Sequence, residues 1–230
     1  MSGQGFVKPF VILGDSIFPC SCLDLRAFGR YAAGMNDCLP IVLASASPRR
    51  ADLLRQIGVD FIAFPAEIDE SYKAGEDPAS HALRLAIGKA GVVAQQIEKG
   101  LVIGADTIVV VDGAVLGKPA NREEAARMLQ RLSGWTHQVI TGIALVRSQP
   151  RSECHHVETT EVRFRDLSAD EIWDYVDSGE PMDKAGAYAI QGRGALFVSG
   201  IDGCYHNVVG LPLFALGQLF SRMGCPLLLK

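Results

Sequence analysis

Apolar residues follow two different periods along this chain, and the two periods alternate. From Ile41 onward, short apolar runs typical of buried strands are followed by segments with an apolar residue at every third or fourth position, typical of helices. The runs predict strands at 41–44, 59–64, 101–106, 107–111, 114–117, 138–146, 157–164, 187–191 and 196–199. Interleaved strands and helices without a fixed repeat indicate an α/β fold with a mixed, twisted sheet and helices on both sides.

Capping signals mark where the helices begin. Ser47 precedes Pro48 at the first helix start, and Asn121 and Ser168 each have a glutamate three residues later, which is the pattern of a capping box. The predicted helices cover about 48–57, 78–99, 122–132, 169–176 and 212–220.

Two turns are expected in the middle of the chain. The strand from Leu101 should end at Asp106 in a tight turn or bulge. Asp112-Gly113 then lies between two apolar segments and predicts a hairpin.

The first 38 residues differ from the rest, because they are rich in Gly, Cys and Phe and keep neither period. We expect residues 1–38 to be a poorly ordered N-terminal extension and residues 39–230 to form the domain. A genuine first strand and helix of the domain is the alternative. The length of 230 residues suits one compact domain or two small lobes around a cleft.

Composition and charge exclude several classes of protein. A hydrophobic content of 48% is ordinary for a globular chain, and a net charge of −4 without any basic run argues against a nucleic-acid partner. No apolar stretch approaches the ~20 residues that span a bilayer, and Asp15 interrupts the apolar segment near the N-terminus. We therefore expect no membrane partner and a cytoplasmic location.

The six cysteines and five histidines do not show metal-site spacing. Cys20-Ser-Cys22 is the one close cysteine pair, and it lacks the two-residue spacer of zinc motifs. Reduced thiols are the better interpretation. The histidines, including His155-His156, are interpreted as surface residues.

The segment Ser45-Ala-Ser-Pro-Arg-Arg50 joins a strand to a helix N-terminus. Free backbone N–H groups and the helix dipole favour an anion there, and two serines add hydroxyl donors. Arg49 and Arg50 oppose the dipole at this end, which makes sense if phosphate oxygens accept their hydrogen bonds. A capped helix with solvated arginines remains the alternative.

An acidic residue inside an apolar strand marks a second candidate, Asp106-Thr107. A buried carboxylate must be paired, bound to a metal or directed into a cleft. Lys118 follows after the hairpin, and Glu70 is expected to approach from the second strand. A hydrogen-bonded structural aspartate is the alternative.

The third candidate is Asp183-Lys-Ala-Gly-Ala-Tyr-Ala-Ile-Gln-Gly192. Lys184 could bind a phosphate, and the amide of Gln191 offers a donor and an acceptor suited to a base edge. Alone, this segment could equally be a solvated loop.

Together these segments resemble the Maf family of nucleotide pyrophosphatases, over about four fifths of the chain. The matching motifs, in order, are Leu43-Ala-Ser-Ala-Ser-Pro-Arg-Arg50, Ile68-Asp-Glu70, Gly104-Ala-Asp-Thr107, Gly117-Lys-Pro119, Leu132-Ser-Gly134, Asp183-Lys-Ala-Gly186 and Val209-Gly-Leu-Pro212. The resemblance implies a Maf/ITPase-like cleft between two α/β lobes, a divalent metal (Mg²⁺ or Mn²⁺), and hydrolysis between the α and β phosphates. It also suggests a homodimer.

The resemblance also implies roles for individual residues. Asp106 would be the catalytic base, and Glu70 would assist metal or water binding. The expected phosphate ligands are Ser45, Arg49, Arg50, Lys89 and Lys118. Lys118 is also expected to take part in catalysis, and Thr107, Lys184 and Gln191 are expected to bind the substrate.

Three positions resemble the branch of the family that is selective for dTTP and UTP. They are Arg49, Thr107 and Gln191, where the branch selective for 7-methyl-GTP tends to have Trp, Gln and Glu. A neutral glutamine can pair with a pyrimidine edge, whereas a glutamate would suit a cationic methylated guanine. The expected activity is hydrolysis of dTTP and UTP, and of modified pyrimidine nucleotides, to the monophosphate and pyrophosphate.

The chain departs from the family pattern at two positions, and two other functions stay open. Gly88 stands where a glutamate is usual, and Ala189 stands where a glycine is common. A 7-methyl-GTP pyrophosphatase, or a nucleotide-binding regulator of cell division without significant hydrolysis, is the alternative function.

Overall fold

One mixed sheet organises the molecule. The computed structural model describes residues 10–13, 16–19 and 39–227. The strands are β1 (Phe10–Leu13), β2 (Ser16–Pro19), β3 (Ile41–Leu43), β4 (Phe61–Ala63), β5 (Leu101–Val111), β6 (Ala114–Leu116), β7 (Thr136–Arg147), β8 (Ser152–Phe164) and β9 (Val198–Asp202). The helices are α1 (Pro48–Gln56), α2 (Pro78–Gln96), α3 (Arg122–Leu132), α4 (Ala169–Asp177), α5 (Tyr205–Val209) and α6 (Leu213–Arg222). Short 3₁₀ turns cover Glu180–Asp183, Ala185–Ala187 and Arg193–Phe197.

The strand order is β2-β1-β4-β3-β5-β7-β8-β9, and β6 also pairs with β5. Strand β3 runs parallel to both β4 and β5, and the other pairs are antiparallel. The predicted mixed sheet is confirmed.

Helices cover both faces of the sheet because side chains alternate along each strand. On one face, Val102 packs with Ala86 and Ala90 of α2. On the other face, Leu101 and Ile103 pack with residues of α1 and α6. A second cluster on that face, around α3 and α4, covers the far end of β5. Two packed regions therefore flank the middle of β5, in agreement with the expected two lobes.

Strand β5 has a gap along one edge. Strand β7 pairs with β5 from Leu101 to Val110 on the opposite edge. On the edge with the gap, β3 pairs with residues 101–103 and β6 pairs with residues 109–111. Among the described residues no strand pairs with residues 104–108 there, so the middle of β5 faces open space.

Gly104 explains how α2 lies so close to this gap. A Cβ atom at this position would lie 2.1 Å from the carbonyl oxygen of Ala86 and 2.8 Å from the backbone nitrogen of Ala90. Only glycine permits this approach of helix and strand. The side chain of Lys89 is thereby brought next to Asp106, two residues along the same face of β5.

Several predicted elements are wrong in detail. Strand β5 continues through Asp106 without a turn or bulge, because β7 pairs with it in unbroken register from Leu101 to Val110. Residues 187–191 form no strand, since Ala187 ends a 3₁₀ turn and residues 189–192 form a turn that is closed by a hydrogen bond from the Gly192 N–H to the Ala189 carbonyl. Helix α2 ends at Gln96, three residues before Lys99. Helix α5 was not predicted, and β8 begins five residues before Val157.

The predicted caps differ in outcome. Ser168 and Glu171 form the full capping box. Asn121 accepts from the Glu124 N–H, but the Glu124 carboxylate accepts from the N–H of Ala120 instead of from the N-cap residue. Ser47 makes no side-chain cap at α1, which leaves that helix start available to a ligand.

Most of residues 1–38 lies outside the described residues, as do Cys20, Cys22 and Cys38. The described parts form a β1–β2 hairpin that extends the sheet beside β4. Poor order of the extension stays a prediction. In the described part of the chain, Cys154, Cys204 and Cys225 are free thiols, and no helix has the length and apolar character to cross a membrane.

Candidate active site

A cavity of about 620 Å³ opens at the gap in β5. This volume lies in the range of small-molecule sites. Its walls come from the start of α1, the loop after β4, helix α2, the end of β6 and the segment after α4. All ten residues predicted for the site line it: Ser45, Arg49, Arg50, Glu70, Lys89, Asp106, Thr107, Lys118, Lys184 and Gln191.

Lys89 joins the two predicted catalytic carboxylates. Its Nζ atom lies 2.7 Å from Oδ1 of Asp106 and 2.7 Å from Oε1 of Glu70. The side chains of Lys89 and Asp106 are largely buried, whereas Glu70 is exposed on the loop after β4. One ammonium therefore holds two acidic groups at the same place in the cavity, where like charges would otherwise repel.

The pKa of Glu70 is lowered from its ordinary value. Partial burial opposes ionisation of this carboxyl, but the hydrogen bond and charge of Lys89 outweigh it, with smaller contributions from Lys118 and Arg50. Glu70 therefore presents an anion to the cavity at neutral pH.

Arg50 is fixed by three hydrogen bonds to the protein. Nε donates to the carbonyl of Gly210 (2.8 Å), Nη1 to Oγ of Ser45 (3.1 Å) and Nη2 to Oγ1 of Thr107 (3.0 Å). Burial lowers the pKa of its guanidinium, and the charge of Asp106 acts in the opposite direction. Arg50 links α1, β5 and the end of α5, and two of its five N–H groups have no acceptor among the described residues and are available to a ligand.

Arg49 is more accessible than Arg50. Its side chain is 27% exposed, and Nη1 donates to Oδ2 of Asp183 at 3.4 Å. Lys184 also contacts the Asp183 carboxylate and donates to the carbonyl of Glu180 at 2.9 Å. The pKa of Asp183 is lowered, because these two cations outweigh its partial burial. The contacts bring the first and third sequence motifs together across the cavity.

Lys118 and Gln191 complete the lining from the other side. Both side chains are exposed, and both line the cavity. Ala189, one of the two departures from the family pattern, is buried beside Gln191 in the wall.

The acidic groups suit a divalent cation that is shared with a substrate. Among the described residues, no group of three or more His, Cys, Asp or Glu side chains could hold a metal alone. Magnesium needs only one or two carboxylates when substrate phosphates supply further oxygens. Asp106 and Glu70 provide two carboxylates at the cavity, so these residues fit such an ion.

Sequence reasoning missed the residues that support the site from behind. Thr141 contacts Thr107 through their hydroxyl oxygens at 3.0 Å, and His137 contacts the hydroxyl of Tyr188 at 2.9 Å. Glu180 and Tyr175 hold the segment that carries Gln191. His81 and His137 are buried, so the interpretation of the histidines as surface residues is wrong for these two. A polar residue inside an apolar strand was the available signal for Thr141, while Glu180 offered none.

The chain matches known proteins over most of its length. The family model described as "Maf-like protein" matches residues 40–223. A dTTP/UTP pyrophosphatase of Symbiobacterium thermophilum is 52% identical over 187 residues, which covers 81% of this chain and 95% of that protein. A dTTP/UTP pyrophosphatase of Koribacter versatilis is 50% identical over 195 residues, 85% of this chain and 98% of that protein. This match and these relatives show that the chain belongs to the Maf family.

Proposed function

We propose that this protein hydrolyses dTTP and UTP to the nucleoside monophosphate and pyrophosphate. The observation that carries the proposal is the placement of Lys89 between Asp106 and Glu70, in a cavity that further cations line. The relatives named dTTP/UTP pyrophosphatase support the substrate assignment.

The triphosphate binds between the start of α1 and the lysines on the opposite wall. Arg49, Lys118 and Lys184 present cationic groups, and the uncapped N-terminus of α1 presents backbone N–H groups. Cations that surround the transferring phosphorus stabilise the charge that develops in the transition state.

Asp106 acts as the general base. Oδ1 is held by Lys89, and Oδ2 accepts no hydrogen bond from the described residues, so it is available to water. The water proton passes to this carboxylate while the water oxygen forms a bond to the α phosphorus. The bond between phosphorus and the α–β bridging oxygen breaks, and the products leave as monophosphate and pyrophosphate. Asp106 then returns its proton to solvent.

Asp106 and Glu70 would hold a divalent cation together with the phosphates, and that cation would supply charge neutralisation and Lewis acidity at the phosphate oxygens. The cation itself, the expected homodimer, the absence of a nucleic-acid partner and the cytoplasmic location stay predictions.

Gln191 contributes to base selection in this proposal. Its neutral amide at the cavity wall offers one acceptor and two donor N–H groups to the edge of a pyrimidine. A site that hydrogen-bonds its substrate rejects analogues that leave these groups unpaired.

A substrate panel tests the activity. Purified protein is incubated with dTTP, UTP, CTP or 7-methyl-GTP, with Mg²⁺ or Mn²⁺, and the monophosphate and pyrophosphate are quantified. We expect release of both products from dTTP and UTP at the highest kcat/KM. Binding of dTTP without pyrophosphate release would support the regulator alternative, and preference for 7-methyl-GTP would support the other branch.

A single variant tests the assignment of Asp106 as the general base. Asp106→Asn should lower kcat by about 10²–10⁴-fold while dTTP still binds, because the amide cannot accept the water proton. Asp112→Asn, in the turn after the same strand, is the matched control and should retain activity. Unchanged turnover in Asp106→Asn would exclude the general-base role.

A further inference from the structure

Gln191 lies in a short loop that is held by a carboxylate outside the cavity. The loop covers residues 189–194, and Glu180 lies in the turn after α4. Oε2 of Glu180 accepts from the N–H of Arg193 (3.1 Å), and Oε1 accepts from the N–H of Gly194 (3.3 Å). The far end of the loop is thereby fixed.

Tyr175 of α4 holds the near end of the same loop. Its hydroxyl donates to Oε1 of Glu180 (2.8 Å) and accepts from the N–H of Ala189 (3.1 Å). The ring is buried and packs edge to face on Phe197. Two side chains, joined to each other, therefore bind backbone N–H groups on both sides of Gln191.

The protonation states favour these bonds at neutral pH. Burial raises the pKa of the Tyr175 hydroxyl, so the group stays a donor. Partial burial opposes ionisation of Glu180, but the bonds from Tyr175, Arg193 and Gly194 outweigh it and lower its pKa. An ionised carboxylate with three donors makes strong hydrogen bonds.

Gly192 leaves room for the carboxylate. A Cβ atom on this residue would lie 2.3 Å from Oε1 and 2.6 Å from Oε2 of Glu180. The φ of Gly192 is −113°, outside the left-handed region that favours glycine, so the main effect expected of an alanine here is the clash of its Cβ atom with the Glu180 carboxylate.

We propose that Glu180, together with Tyr175, is a positioning residue that fixes the loop 189–194 and thereby sets how strongly Gln191 selects the nucleobase. The inference rests on the proposed function. Glu180 also binds Lys184, but through its backbone carbonyl, which a side-chain substitution leaves in place. Loss of the carboxylate should therefore weaken recognition of the base more than binding of the phosphates.

Three substitutions test the inference by kinetics. Glu180→Ala should raise KM for dTTP and lower the ratio of kcat/KM for dTTP over CTP by about tenfold, while kcat changes by less than about threefold. Tyr175→Phe keeps the ring and should shift the ratio in the same direction by a smaller factor. Glu171→Gln, which alters a carboxylate of α4 that binds Arg165 and does not contact the loop, is the control and should leave the ratio unchanged.

Gly192→Ala gives a double-mutant test. Alone it should reproduce the change in ratio, because the added methyl displaces the carboxylate. In the Glu180→Ala background the methyl has no carboxylate to displace and should add no further change. Full additivity of the two effects would overturn the inference.

Hydrogen exchange supplies a readout that does not depend on turnover. The amides of Ala189, Arg193 and Gly194 should exchange faster in Glu180→Ala, and those of β7 should not. Unchanged exchange in the loop, or faster exchange with a dTTP:CTP ratio within twofold of wild type, would overturn the inference. If Glu180→Ala does not fold, the same two measurements, amide exchange in the loop and the dTTP:CTP ratio, are made on Tyr175→Phe and Gly192→Ala and decide the inference.

The two proposals can fail separately. If the wild-type protein hydrolyses neither dTTP nor UTP, the proposed function is wrong. The positioning role is then judged from the dissociation constants of dTTP and CTP, measured by calorimetry in the same variants. The preference for dTTP over CTP in binding should fall by about tenfold in Glu180→Ala, and a preference within twofold of wild type would overturn the inference.

Discussion

The ammonium of Lys89 lies 2.7 Å from a carboxylate oxygen of Asp106 and connects helix α2 to the middle of strand β5. The contact exists because Gly104 lets the helix approach the strand so closely that a Cβ atom there would overlap the Ala86 carbonyl. The same ammonium reaches Glu70, so one cation holds the two acidic groups of the proposed reaction.

One substitution of Lys89 removes the charge of the side chain and keeps most of its volume. Lys89→Met keeps an unbranched side chain but leaves Asp106 and Glu70 without their shared cation. We expect kcat to fall by about 10²-fold or more. The acid side of the pH–rate profile should also move to higher pH, because the pKa of Glu70 is held down by Lys89. Lys99→Met, at an exposed position after α2, is the control. A profile that keeps its shape and height in Lys89→Met would show that the contact is dispensable.

The neighbouring arginines should respond differently to the same substitution. Arg50→Lys removes a guanidinium that is hydrogen-bonded to Gly210, Ser45 and Thr107. We expect the free energy of unfolding to fall by about 2 kcal/mol and the activity to be lost as well. Arg49→Lys should leave stability within about 0.5 kcal/mol, because the ion pair of Arg49 with Asp183 is exposed to solvent, and should raise KM. Denaturant unfolding and steady-state kinetics measure the two effects. Equal loss of stability in both variants would contradict this division.

His137 should make the fold sensitive to mild acid. Burial lowers the pKa of its imidazole to about 4, whereas an unfolded chain binds the proton near 6.5. Between these values the unfolded state binds more protons, so stability falls as pH falls. The contribution lost between pH 7 and 5 is about 2 kcal/mol.

Unfolding of wild type and His137→Gln at several pH values isolates this effect. The variant should be less stable at pH 7, since its contact with Tyr188 is altered, but its stability should depend less on pH between 5 and 7. Parallel pH curves for the two proteins would assign the acid sensitivity to other groups.

Gln191→Glu should weaken hydrolysis of dTTP. The new carboxylate accepts hydrogen bonds but donates none, and it adds a negative charge to a cavity that receives a triphosphate. We expect kcat/KM for dTTP to fall by about tenfold or more, with a smaller loss for 7-methyl-GTP. Gln130→Glu, on the exposed face of α3, controls for the added charge. Equal rates in Gln191→Glu and wild type would remove Gln191 from base selection.

Local sequence signals determined much of this protein. The alternating periods predicted the α/β class, and Pro48, Asn121 and Ser168 marked helix starts that the structure confirms. These features depend on residues a few positions apart, so the sequence contains them directly. The ten site residues were named from short motifs and from the resemblance to the Maf family, and all of them line one cavity.

Only the tertiary structure decided how those residues meet. The open edge of β5 exists because β3 and β6 pair with its two ends, and the pairing with β7 carries β5 straight through Asp106, where a turn was expected. Strand pairing is set by partners distant in sequence, and a period of two along one strand does not name them. The contacts of Lys89 and Glu180 arise in the same way, from elements that packing of the whole core brings together.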